Sequence, residues 1–146
     1  MHLLDIFIIL CTVSMVGTEF TVSVILNPAL DRLDQPTWLK TMPVLAQAFG
    51  RAMPFWYGLG LLLIGAETYR HWGTGTQEWL GIAVLLWAAS IVYSVTMLVP
   101  INKRIADMSA GSASATNEDH ERWDALHRWR VVLLLAAIAF LLTGIA

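Results

Sequence analysis

Charge is scarce in this chain. Only 14% of its 146 residues are Asp, Glu, Lys or Arg, against about 25% in a soluble domain of ordinary composition. With 57% apolar residues, that scarcity argues against a water-soluble domain. No basic block is present, so nothing points to a nucleic-acid partner, and the net charge of −2 points to no partner of either sign. There is a single cysteine, Cys11, which excludes an intrachain disulfide and leaves the redox compartment open. Within an apolar run it reads as a small buried filler. Strand-like alternation is missing too. The first residues, Met1-His2-Leu3-Leu4-Asp5, lack the positive start of a signal peptide, and the apolar run after them is too long for one. A retained helix is expected.

What the chain does have is apolar length. Four stretches stand out, at about 3–29, 52–72, 79–100 and 123–146. Each approaches the ~20 residues that carry a helix across a ~30 Å hydrocarbon core. Seven Trp and five Phe suit the aromatic belts of membrane interfaces. The expected fold is all-α: a single-domain bundle of four transmembrane helices. Between the first two spans, Trp38, Met42, Leu45, Phe49 and Met53 recur at helical spacing on one face. This predicts a short amphipathic interfacial helix, with Pro36 and Pro43 suiting helix starts and Pro54 a kink at the junction. The small polar run Ser109–Asn117 predicts a flexible loop over about 107–119, and Asn117-Glu118-Asp119 suits the start of the fourth helix.

Orientation follows from the basic residues. Arg32, Lys40, Arg51, Lys103, Arg104, Arg122, Arg128 and Arg130 fall with the first and third loops, and only Arg70 with the other side. The positive-inside rule then puts loops 1 and 3 in the cytoplasm and both termini outside.

Against so apolar a background, Glu19 is conspicuous. A carboxylate at mid-span costs at least ~2.5 kcal/mol to insert and marks a functional-site hypothesis. Glu19, Ser23 and Asn27 share one stripe at i, i+4 and i+8, and Trp123, His127 and Arg130 share another at i, i+4 and i+7. In an up-and-down bundle, Arg51 and Tyr57 from the second span and Asn102 from the third reach the same level. Together these residues bound a predicted polar pocket in the cytoplasmic half. Arg and His at such positions also serve as simple snorkelling residues. A second group, His2, Asp5, Glu67 and His71, lies at the outer ends and has donor types a metal accepts.

Gly17-x-Glu19, Asn27-Pro28-Ala29-Leu30, Gly50-Arg51-x-Met53-Pro54-Phe55-Trp56-Tyr57, Pro100-x-Asn102 and Trp123-x-x-x-His127-x-x-Arg130 resemble, in order and spacing, the anthrone oxygenase-like family. The resemblance implies a small four-helix membrane protein, with oxidation of anthrones to anthraquinones as the activity linked to some members. On that reading the partner is a small apolar aromatic molecule. Glu19 or His127 is the base, Arg130, Arg51 and Asn102 hold the resulting anion, Trp123, Trp56 and Tyr57 stack on the ring system, and Asn27 lines the pocket. Two other readings stay open. One is a metal or haem held by Glu19 and His127, although two ligands are few and no dedicated metal site is expected. The other is a non-enzymatic accessory or ligand-binding protein with Glu19 paired to Arg51 or Arg130. Cofactor and oligomeric state are left open; no inverted repeat suggests a transporter.

Overall fold

The computed structural model describes residues 2–107 and 117–146, and the loop expected at about 107–119 falls largely outside them. Four long helices account for nearly all of the described chain. Helix α1 runs Leu3–Leu30, α2 Gln35–Arg70, α3 Gln77–Asp107 and α4 Asn117–Ile145. There is no strand among the described residues. By length and composition α1, α3 and Glu118–Ile145 within α4 are apolar enough to cross a membrane. Helix α2 is the longest and is not among these three: its first half is semi-polar and its second carries Trp56, Tyr57, Glu67 and Arg70.

The short amphipathic helix expected after the first span is not a separate element. It is the first part of α2, which continues unbroken through Pro43 and Pro54 to Arg70. Each internal proline removes one backbone donor; packing offsets the loss here. Trp38, Met42 and Ala46 are buried in an apolar cluster with Leu30, Ile101 and Ile105, so this face packs on α1 and α3 rather than lying free in the interface. Asp34 caps the helix by accepting from the Thr37 N–H, and Pro36 sits in its first turn. Hydrogen bonds from the Thr37 side chain and then its backbone N–H hold the Asp34 carboxyl below its ordinary range.

Two helices contain one wider turn each. In α1 the Asn27 N–H donates to the Val22 carbonyl, five residues back, and in α3 the Val99 N–H donates to Ser94 in the same way. A regular α-helix advances about 100° per residue, so residues four apart drift about 40° around the axis. The i→i+5 turn unwinds part of that drift. Glu19, Ser23 and Asn27 accordingly all stay buried, as do Ser90, Ser94 and Leu98.

A second apolar cluster fills the other half of the bundle, built around Ile8, Met15, Ile64, Leu80, Trp87, Leu134 and Leu141. Trp87 is its largest member. Its ring lies where a Cβ on Gly60 would sit, 2.2 Å from Cζ2, and its indole N–H donates to the Tyr57 carbonyl at 3.0 Å. Gly60 is therefore required by the close approach of α2 and α3. We expect Gly60→Ala to destabilise the protein by about 1–3 kcal/mol through overpacking, read as a lowered thermal midpoint in detergent; an unchanged midpoint would show that the interface can give way.

Candidate functional site

On α1, α3 and α4 a set of buried polar residues falls between the two apolar clusters. Glu19 follows Met15 and Val16 and precedes Leu26 and Leu30; His127 and Arg130 lie between Trp123 and Leu134; Ser94 lies between Trp87 and Ile101. These residues form a polar layer with apolar packing on both sides.

Glu19 is its centre. It is 2% exposed and accepts three side-chain hydrogen bonds. Tyr57 Oη donates to Oε1 at 3.1 Å. His127 Nε2 and Arg130 Nη2 both reach Oε2 at 2.6 Å. The other terminal nitrogen of Arg130, Nη1, donates to Ser94 Oγ at 3.3 Å. Ser94 in turn spends its own proton on the Ser90 carbonyl at 2.6 Å, so its lone pairs face the guanidinium. The guanidinium also lies 5.5 Å from the centre of the Tyr57 ring. One anion and one cation are buried together, and the layer is close to neutral. That is the condition under which a charged pair survives in a low-dielectric interior.

The donor set fixes the state of His127. An ionised Glu19 can only accept, so Nε2 carries a proton and donates it. In the neutral ring Nδ1 then holds a free lone pair. His127 is fully buried, and Nδ1 has no hydrogen-bond partner. The ring is stacked face to face on Trp123, with centroids 4.7 Å apart and planes 10° apart. Arg130 Nε is also buried without a partner. Both residues line a cavity of about 50 Å³, whose remaining wall is mostly apolar and includes Leu26, Met42, Phe49 and Met53.

The sequence-predicted residues divide clearly. Tyr57, His127 and Arg130 all contact Glu19. Asn27, Asn102 and Trp123 line the cavity, although Asn27 donates to Asp124 at 2.6 Å, Asn102 to the Ala46 carbonyl at 3.1 Å, and Trp123 presents a face to His127. Arg51 is exposed and does not line the cavity, so it makes no pair with Glu19; Arg130 does. Trp56 packs against the larger apolar cluster. Ser94 and Asp124 were missed. The i, i+4 pair of Ser90 and Ser94 inside an apolar run was the available signal for the first; Asp124 gave none, because its partner Asn27 is on another helix.

Both Glu19 oxygens are already hydrogen-bonded, Oε1 by Tyr57 and Oε2 by His127 and Arg130. Among the described residues no group of three or more His, Cys, Asp or Glu could hold a metal ion. The outer group is likewise ion-paired. Arg70 Nη1 contacts Asp5 Oδ1 at 3.0 Å and Glu67 Oε2 at 2.7 Å, joining α1 to α2 and placing a cation where a metal would sit.

These features define a helical membrane protein with a buried, ion-paired polar centre. A family model for anthrone oxygenase matches residues 38–140, and the chain belongs to that family. The match takes in Tyr57, Trp123, His127 and Arg130, and begins beyond Glu19 and Asn27. No curated protein and no solved structure matches the chain.

Removing one member of the pair isolates the other. Arg130→Leu should cost about 3–5 kcal/mol by stranding the Glu19 carboxylate. Adding Glu19→Gln to that variant should recover at least half of the loss in thermal-unfolding measurements. Additive losses in the double variant would mean that the two side chains are not coupled.

Proposed function

We propose that this protein oxidises a small hydroxylated aromatic ketone of the anthrone type with dioxygen, inside the membrane. The observation that supports it is a pair of buried, unpartnered atoms on two residues that line the cavity, a proton acceptor at His127 Nδ1 and a proton donor at Arg130 Nε. An anthrone carries an acidic CH₂ between two aromatic rings. Its oxidation removes a proton from that carbon, leaves an enolate-type anion, and ends with CH₂ and O₂ converted to C=O and water.

His127 is the base in this reading. Glu19 already accepts three hydrogen bonds and is matched by Arg130, so it has neither a free lone pair in the right place nor an excess of charge. Its part is to hold the imidazole in the tautomer that leaves Nδ1 open, and to stabilise the ring once protonated. Arg130 Nε donates to the oxygen on which charge develops, in surroundings where such a bond is strong. Trp123 fixes the plane of the imidazole rather than stacking on substrate. Asn27 and Asn102 narrow the cavity mouth.

At about 50 Å³ the cavity has room for fewer than two waters at the ~30 Å³ each takes in the liquid. A three-ring molecule enters only if the apolar wall moves. Met42 and Met53, with their unbranched thioethers, are suited to that. In the same reading α2 makes the fourth crossing, loops 1 and 3 face the cytoplasm, and the polar layer lies in the cytoplasmic half.

Two substitutions test the assignment with purified protein and 1,8-dihydroxyanthrone, following the absorbance of the anthraquinone. His127→Asn and Glu19→Gln are each expected to lower turnover at least a hundredfold, in line with general-base catalysis worth ~10²–10⁴, while the helical circular-dichroism signal is kept. Turnover by His127→Asn at the native rate would remove the imidazole from the mechanism.

A further inference from the structure

A second, larger concavity lies beside the inner cavity. It is an open groove of about 1060 Å³ between the turn after α1 and the first half of α4, with Leu33, Trp38, His120, Asp124, Arg128 and Val132 on its walls. His120 is 5% exposed. Its Nε2 lies 3.0 Å from Asp31 Oδ1, and its ring meets Trp38 edge to face at 5.6 Å. Among the described residues nothing hydrogen-bonds His120 Nδ1, which is buried. Because a carboxylate on Asp31 only accepts, Nε2 donates and Nδ1 keeps a lone pair. The groove therefore has an unpartnered acceptor buried in its wall beside an aromatic surface. Asp31, Glu121 and Asp124 against Arg128 make it unfavourable for an anion.

The groove and the inner cavity share a wall. Asn27 and Trp123 line the cavity, and Asp124 lines the groove. The hydrogen bond from Asn27 Nδ2 to Asp124 Oδ1, at 2.6 Å, spans the partition. On the groove side Arg128 holds the other Asp124 oxygen at 2.5 Å. The far end of the groove, at Trp129 and Val132, is exposed on the apolar part of α4, where a molecule dissolved in the bilayer would arrive.

We infer that this groove is a binding site for a neutral, planar, hydroxylated aromatic molecule and the vestibule through which it reaches the His127–Glu19–Arg130 cavity, with the Asn27–Asp124 hydrogen bond as the partition that must open. The ligand class rests on the proposed oxidation; the groove, its free imidazole nitrogen and its shared wall do not.

Neither test uses turnover, so failure here is separable from failure of the oxidation. The first measures binding of 1,8-dihydroxyanthraquinone, a stable coloured probe, to the protein in nanodiscs against empty nanodiscs. Val132→Trp, which fills the groove from an exposed position, and His120→Leu should each raise Kd at least tenfold. Tyr57→Phe, in the inner layer, should leave it within twofold. Native affinity in both groove variants, equal weakening by Tyr57→Phe, or no binding above empty nanodiscs would each overturn the site. The second follows N-phenylmaleimide labelling of a cysteine placed on the inner cavity, Val22→Cys in a Cys11→Ser background. Val132→Trp should slow that labelling at least tenfold, and an unchanged rate would overturn the vestibule.

Discussion

Everything in this bundle is arranged around one carboxylate that cannot be left unpaired. Glu19 sits deep in an apolar helix, where an isolated charge is costly, and four helices answer it. Helix α1 brings the carboxylate, α2 the Tyr57 hydroxyl, and α4 both the His127 imidazole and the Arg130 guanidinium. Helix α3 brings Ser94, which holds the far side of the guanidinium. No helix can rotate or slide by a residue without breaking a bond to this centre. Apolar packing in lipid specifies register only weakly, because lipid tails are as good a neighbour as Leu. The polar layer supplies the register, and the clusters on either side of it supply the contact area.

Much of this layer was legible because the background is so plain. A single acidic residue in an apolar run is visible at once, and a period of four finds Ser23 and Asn27 on its face. The i, i+4, i+7 spacing likewise delivers Trp123, His127 and Arg130 as one stripe. Depth without phase was less reliable. Arg51 and Tyr57 share a helix and face the right end of the bundle. Six residues at about 100° each, however, turn Arg51 about 120° away from Tyr57, and it is exposed. Trp56 is one residue and about 100° off; it is half-buried and does not line the cavity. Asp124 escaped for the same reason, lying one step off the Trp123 stripe. The family match and the bundle agree on the class of protein. The wider turns in α1 and α3 are not readable from composition at all: they depend on how each helix must be unwound to keep its polar face inward.

A comparison within the molecule separates fastening from function. At the other end of the bundle Glu67 is fully buried and Asp5 nearly so, and Arg70 bridges them. The chemistry of that knot is close to that of the Glu19 layer: carboxylates matched by one guanidinium, helices α1 and α2 joined. His71 Nδ1 adds a contact with Glu67 Oε1 at 3.2 Å. Yet neither cavity described above is lined by any of these residues. Among the described residues Glu67 Oε1 has no hydrogen-bond partner, but it lies on a residue that lines neither cavity, and the knot joins α1 to α2. In the inner layer the unpartnered atoms belong to residues that line a cavity. The carboxylate is saturated, and two of the three groups that saturate it each keep one nitrogen unpartnered, an acceptor on His127 and a donor on Arg130. A pair built only to cancel charge would have no need of an imidazole. The arrangement uses Glu19 to hold two bifunctional side chains by one end, so that their other ends remain available. That distinction, rather than burial or charge, is the reason for placing chemistry at His127 and Arg130 and structure at Arg70.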